Sequence, residues 1–339
     1  MNIVPFTADM LAEAGKILSE RHASDRQIFP QLPPRFEEQP DAQKAVQTVF
    51  EKPTSLGFAA ISNGTMLAYL LGETSVQSWG RCGHIYMPGS GLRQGADARI
   101  LQDLYAQLGE HWNQAGCFLH YIYLGAADER TRETWFDLGF GKERADALLD
   151  LRNIPTETPH LPEGIHIRRV TKEDGPHLAA LSGNIWRQQC KAPRWHPMTP
   201  EDIHRQAPGW AEVADTPTDI AFLAMDGDAA VGSLAFYSED ERDDDMTIPP
   251  QCRYMTMAGT SESHRGRGIA TALTLHGLQT IREHGDAFCL TNWQTANLLA
   301  ARFWPRFGFT PCVFRLARSI NPAIAWANGA QTPHPAQIF

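Results

Sequence analysis

No apolar run in the chain approaches the roughly 20 residues that a membrane-spanning helix needs. The opening Met1-Asn2-Ile3-Val4-Pro5-Phe6 also lacks the basic and long apolar regions of a secretory signal. The six cysteines (82, 117, 190, 252, 289, 312) are dispersed, with no C-x-x-C pair and no cysteine–histidine spacing that would hold zinc. Their scatter argues against a disulfide framework and places the protein in the reducing cytoplasm. Excess positive charge is missing too: the formal net charge of −9 argues against nucleic-acid binding and suits an acceptor that is cationic or bears an amine. There is no G-x-x-x-x-G-K-[ST] phosphate loop anywhere. The acidic run Glu239-Asp240-Glu241-Arg242-Asp243-Asp244-Asp245 lacks the remainder of a calcium loop, so no metal site is expected. It reads as a solvated connection between strands, the alternative being an attractor for a cationic acceptor.

What the chain does have is a glycine-rich turn between a strand and a helix. Tyr254-Met255-Thr256-Met257-Ala258-Gly259-Thr260 is apolar and extended, and His264-Arg265-Gly266-Arg267-Gly268-Ile269-Ala270-Thr271 follows. The segment beyond carries no proline to His284, where Gly285 suits a helix stop. Such a turn aims several backbone N–H groups and a helix N-terminus at one spot, a site for a diphosphate. Glycine lets that anion approach the backbone. The dinucleotide fingerprint G-x-G-x-x-G/A fails, because Thr271 occupies its last position.

Arg265, Gly268 and Ala270 instead meet the pattern [Q/R]-x-x-G-x-[G/A], which resembles the acetyl-CoA pyrophosphate loop of the GNAT superfamily of N-acetyltransferases. A second strand candidate, Ala287-Phe288-Cys289-Leu290-Thr291, leads into Asn297-x-x-Ala300-x-x-Phe303-Trp304-x-x-x-Gly308-Phe309. That is similar to the superfamily's final helix, N-x-x-A-x-x-L/F-Y-x-x-x-G-F. The resemblance implies acetyl-CoA as co-substrate, held by Ala258, Gly259, Thr260, Arg265, Gly266, Arg267, Gly268, Ile269, Ala270, Thr271, Asn297 and Trp304. It departs at Trp304, where many members have a tyrosine that protonates the leaving thiolate. An indole N–H is no Brønsted acid near neutrality, so Trp304 is expected to pack.

The halves of the chain repeat one plan. Thr7 answers Thr171, 164 residues on; Asn63-Gly64 answers Asp226-Gly227, 163 on; and Trp135-x-x-x-Gly139-Phe140 answers Trp304-x-x-x-Gly308-Phe309, 169 on. Asn-Gly and Asp-Gly between apolar runs are hairpin signals. The expected organisation is therefore a degenerate domain over 1–151, a proline-rich linker over 152–164 and a catalytic domain over 165–339. Each domain is expected as an α/β (α+β) fold, a mixed, mostly antiparallel sheet flanked by helices. In the first copy the loop falls at Arg93-Gln94-Gly95-Ala96-Asp97-Ala98, without the R-x-x-G-x-[G/A] match and with a carboxylate that would repel phosphate. The asparagine position falls at Asp128, which accepts hydrogen bonds but cannot donate as an amide does.

The resemblance implies direct attack of a small molecule's primary amine on the thioester in a ternary complex. Glu262 and Tyr254 are the candidate bases; His264 flanks the loop beside Glu262, Tyr237 lies on a strand candidate adjacent to that of Tyr254, and none of them is assigned. Strand N–H groups at 258–260 would stabilise the oxyanion, and Gly259 suits a bulge or close approach of a ligand. The acceptor pocket is expected against residues 185–196. Two alternatives stay open: a larger acyl group, or an acyl-CoA-binding module without turnover. The sequence leaves the acceptor's identity and the oligomeric state open.

Overall fold

Asn63 and Gly64 both adopt left-handed backbone, with φ of 50° and 76°, and close a two-residue hairpin between antiparallel strands in which Ser62 faces Thr65. The computed structural model that shows this describes residues 1–77, 80–157 and 160–327. The first copy runs β1 (Asn2–Pro5), α1 (Leu11–Ile28), α2 (Gln39–Phe50), β2 (Leu56–Ser62), β3 (Thr65–Gln77), β4 (Gly80–Ile85), β5 (Ser90–Leu92), α3 (Ile100–Gln114), β6 (Cys117–Gly125), α4 (Glu129–Asp137) and β7 (Gly141–Asp150). The second runs β8 (Ile165–Arg169), α5 (Gly175–Leu181), α6 (Gly183–Gln189), α7 (Pro200–Ala211), β9 (Ile220–Asp226), β10 (Ala229–Ser238), β11 (Cys252–Thr260), α8 (Ile269–His284), β12 (Phe288–Gln294), α9 (Leu298–Phe303) and β13 (Thr310–Ser319). Apart from β5 and the split of α1 into α5 and α6, the element orders coincide.

Packing groups Met1–Ala145 with Glu241–Thr247 and the residues from Pro311 as one unit, and Asp146–Asp240 with Ile248–Thr310 as the other. These units cross the boundaries expected at 151 and 165. In the first unit β6 lies between β4 and β13, and it pairs antiparallel with β13 from Val313 opposite Gly125 to Ser319 opposite Leu119. The second unit takes in the end of β7, next to β12. The end of β7 and nearly all of β13 thus pack with the opposite unit. The sheets are mixed: β4 and β6 run parallel, as do β11 and β12, while β1–β2, β2–β3, β3–β4, β3–β5, β6–β13, β8–β9, β9–β10 and β10–β11 are antiparallel.

The acidic run is not simply solvated. Glu241, Asp243 and Asp244 pair with Arg35 (3.3 Å), Lys44 (3.0 Å) and Lys52 (3.3 Å) of the first unit. A concentration of like charge is relieved most cheaply by opposite charge at hand, although each exposed pair contributes only about 0–1 kcal/mol.

The repeated Trp-x-x-x-Gly-Phe motif does the same packing job twice. Trp135 is fully buried and meets Phe140 edge-on, while Gly139 turns at φ 80°. Trp304 meets Phe309 edge-on, and Gly308 turns at φ 94°. The first core centres on Tyr105, Trp112 and Trp135, and one cluster of the second on Leu178, Leu223 and Met257.

Helix α8 lies tight on its sheet because Gly277 has no side chain. A Cβ there would stand 2.5 Å from Phe236 Cε2 and 2.8 Å from Leu234 Cδ2, both in the buried face of β10. Gly277→Ala is therefore expected to cost about 1–3 kcal/mol through overpacking, despite alanine's better helix propensity. Urea unfolding measures it; an unchanged or higher midpoint would show that the ring has room to yield.

Candidate active site

The site begins with a fault in β11. Ser233 faces Gly259 and Ala235 faces Thr256, so three steps along β11 span two along β10, and one residue bulges out. Met257 takes up the bulge at φ 52°, a conformation few residues other than glycine adopt. Of the two readings open at Gly259, the bulge falls two residues earlier, at Met257, while Gly259 itself lines the cavity. Ser233 Oγ donates to the Met257 carbonyl at 2.8 Å and holds the distortion in place.

Past this point the parallel neighbours separate. Pairing of β11 with β12 covers Cys252–Tyr254 opposite Phe288–Leu290 and goes no further, although β11 continues to Thr260 and β12 to Gln294. The Thr291 hydroxyl takes over for one rung, donating to the Met255 carbonyl at 3.1 Å. Beyond it the two strands diverge, which leaves backbone polar groups facing a gap. Such groups must find partners in water or in a ligand.

The glycine-rich turn closes one end of the gap. Gly266 and Gly268 both adopt left-handed backbone (φ 78° and 84°), and neither Cβ position would meet a neighbour within 4 Å. The first intrahelical bond of α8 runs from the Ala272 N–H to the Gly268 carbonyl, so the N–H groups of Ile269, Ala270 and Thr271 precede it. No side chain caps this helix start. Arg265 braces the turn: its Nη1 donates to Gln188 Oε1 at 3.0 Å and its Nε to the Thr260 carbonyl at 3.3 Å.

A cavity of about 650 Å³ joins these parts. Ala258, Gly259, Thr260, Arg265, Gly266, Gly268, Ile269, Ala270, Thr271, Asn297 and Trp304 all line it. Arg267 does not; it turns toward Asp226, 3.8 Å away. Asn297 caps α9 through its Oδ1, which accepts from the Ala300 N–H at 3.4 Å, so the group it can offer a ligand is the amide nitrogen. Trp304 is 7% exposed and packed by Phe303, Phe307 and Phe309. Asn184, Ile185 and Gln188 of α6 form another wall, the last two within the segment 185–196 expected to bound the acceptor. The sequence does not single out Leu298, Leu299, Arg302 and Arg306, which also line the cavity. The exposed Leu298 and Leu299 on a short helix were the available signal.

The two candidate bases stand apart from this lining. Glu262 lies in the exposed turn after β11, where Lys191 Nζ donates to it at 3.0 and 3.2 Å and holds its carboxyl below the ordinary value. Tyr254 Oη accepts from Asn292 Nδ2 at 2.7 Å between the parallel strands. Nearby, burial pushes the Tyr237 phenol up to about 12, with the Asp219 carboxylate adding to the rise, and Tyr237 Oη donates to Met257 Sδ at 3.2 Å. His264 lines the cavity, its ring held between Ser263 Oγ (2.8 Å) and Asp226 Oδ2 (3.2 Å).

The first copy shows what the same frame becomes without the motif. Asp128 caps α4 just as Asn297 caps α9, accepting from the Thr131 N–H at 2.9 Å. Ahead of α3, the Asp97 carboxylate accepts from the Arg99 backbone N–H at 3.1 Å and pairs with its guanidinium at 2.7 Å. An internal anion thus takes up a backbone donor at this helix start.

Among the described residues, no helix is long and apolar enough to cross a membrane. Residues 185–309 match the model of the Acetyltransferase (GNAT) family. The mycothiol acetyltransferase of Thermobispora bispora is 30% identical over 177 residues, 51% of this chain and 56% of that protein. The mycothiol acetyltransferase of Actinosynnema mirum is 26% identical over 236 residues, 63% of this chain and 73% of that protein. The match to the first of these spans little more than half its length. Among solved structures, a GCN5-related N-acetyltransferase from Sphaerobacter thermophilus aligns with a TM-score of 0.60 at 16% identity, covering 95% of this chain and 96% of that one. A tandem GNAT protein from the clavulanic acid biosynthesis pathway aligns at 0.50 and 15%, covering 95% and 99%. At such identities the likeness is one of fold.

Proposed function

Because residues 185–309 match the Acetyltransferase (GNAT) family model, we propose that the chain transfers the acetyl group of acetyl-CoA to a primary amine of a small molecule. The observation that carries this reading is the divergence of β11 from β12 beside an uncapped helix start, within one cavity of about 650 Å³. In this reading the N–H groups of 268–271 hold the diphosphate, and the freed edge of Ala258–Thr260 binds the pantetheine amides. An N–H of the same strand polarises the thioester carbonyl. The amine nitrogen attacks that carbon, the C–S bond breaks, and the thiolate leaves with a proton from water, since Trp304 cannot supply one. The proton lost by the amine passes to solvent, with Tyr254 and Glu262 the side chains to test as intermediaries. The cofactor site belongs to the second copy alone, and the free cysteines suit the reducing cytoplasm. The relatives' name makes a mycothiol-related amine the first acceptor to assay.

The deciding experiment is calorimetric titration with acetyl-CoA, followed by thiol release across a panel of amines. One equivalent bound, with acceptor-dependent thiol release, is the expected result. One equivalent bound without turnover for any amine would favour the second reading, an acyl-CoA-binding module, which the buried Trp304 in the acid's place supports. No binding would remove both. Repeating the titration with longer acyl-CoA esters reads the acyl preference.

A further inference from the structure

A second cavity, of about 310 Å³, opens in the first unit where the duplicated plan puts the counterpart of the cofactor site. Its lining chemistry differs from that of the first. Leu92, Leu101 and Leu124 give it an apolar body. At its base is Asp25 of α1, 3% exposed, whose Oδ2 has no hydrogen-bond partner. The carboxylate lies over Gly125 at the end of β6, where a Cβ would be 2.8 Å from Oδ2; only glycine leaves room for it. The nearest cation gives weak compensation. Arg21 Nε stands 3.9 Å from Oδ2 and is itself without a hydrogen bond, while its two terminal nitrogens donate to the carbonyls of Ser90 and Met87.

The other charged groups of the lining do not neutralise Asp25. Arg93 is committed to Glu13 and the Met66 carbonyl, and Arg130 faces Asp97. Glu20 and Asp128 add negative charge. A buried carboxylate with an unused acceptor is costly unless something with a positive charge or a donated proton reaches it. We infer that this cavity is a binding site for a small primary amine with a hydrocarbon body, its ammonium group on Asp25 and its body against the three leucines. Burial pushes the Asp25 carboxyl up to about 6 against the pull of Arg21, and Asp128 adds to the rise. The site already recruits a proton in mild acid, and an ammonium ion supplies the same charge at neutral pH.

The site is separate from the proposed cofactor cavity and stands or falls independently of it. Cyclohexylamine and cyclohexanol, matched in shape and differing in charge, are titrated into the full chain at pH 7.5 and followed by ¹H–¹⁵N chemical shifts. The expected result is saturable shifts at residues 90–96 and 124–131 with the amine, with the alcohol at least tenfold weaker. Asp25→Asn, close in shape and free of the buried charge, should lose amine binding at least tenfold while its melting temperature holds or rises and its acetyl-CoA titration is unchanged. Equal affinity for alcohol and amine, unchanged binding by Asp25→Asn, or shifts confined to other residues would overturn the inference. So would a second equivalent of acetyl-CoA seated at these same residues.

Discussion

Replacing Gly268 with aspartate is expected to abolish acetyl-CoA binding, lowering affinity by at least about 100-fold. The position lies at the uncapped start of α8, with φ 84° and open space where the Cβ would go. Aspartate there puts a carboxylate where a diphosphate would rest. Two unit charges about 4 Å apart at a protein surface repel by up to about 4 kcal/mol. The carboxylate could also take up a backbone N–H itself, as Asp97 does with the Arg99 N–H ahead of α3. Strain is controlled by Gly268→Asn, since asparagine and aspartate tolerate left-handed backbone about equally. The asparagine variant should lose less than about tenfold, so the difference between the two reads the charge. Calorimetry supplies both constants, and an aspartate variant that binds like wild type would mean the diphosphate is held elsewhere.

The second large effect is acid lability of the first unit. Burial drives His22, His84 and His120 each from 6.5 down to about 4, while Asp25 is raised from 3.8 to about 6. The neutral forms are built in. His120 Nε2 bonds the Cys117 carbonyl at 2.9 Å, so it carries the proton, and Nδ1 accepts from Tyr105 Oη at 2.6 Å. His22 Nε2 bonds the Pro33 carbonyl at 2.7 Å, and His84 lies stacked on Tyr86 and Tyr121. The folded values of the histidines are depressed, so their contribution is complete above 6.5 and drains away as pH falls toward about 4. Asp25 has the opposite sign: its contribution is complete below 3.8 and lost as pH rises through about 6. Between those limits unfolding takes up three protons at the histidines and releases one at Asp25. Stability should therefore fall by up to about 2.7 kcal/mol per pH unit on acidification from 6 to 4. Urea midpoints at pH 7, 5.5 and 4.5, followed by the fluorescence of the buried Trp112 and Trp135, measure this. A flat profile would mean that the histidines admit water.

The sequence made the second copy's site legible because its signals are local. A glycine with left-handed backbone, an uncapped helix start and a capping asparagine each lie within a few residues of what they do. Eleven of the twelve cofactor residues named from the sequence line the cavity, Arg267 being the exception. The bulge reading at Gly259 falls two residues late because glycine is the usual occupant, and nothing around Met257 advertises φ 52°. The pairing of the acidic run with Arg35, Lys44 and Lys52 was hidden because those partners lie about 200 residues away along the chain. The base of the second cavity was equally silent: an aspartate on a helix is ordinary until Gly125 is seen beneath it. The reassignment of β7 and β13 depends on which unit each joins, and their apolar patterns read the same either way.

The pairing of β6 with β13 has a kinetic cost. Leu119 finds Ser319 and Gly125 finds Val313, partners 188 to 200 residues downstream. Until those residues leave the ribosome, β6 is an open edge offering unpaired amides to any passing strand. The first half of the molecule is made first and completed last. Such long closures slow folding and lengthen the time in which chains can pair with one another instead of with themselves. Growth temperature and synthesis rate should therefore govern the yield of correctly assembled protein, through the wait imposed on one strand.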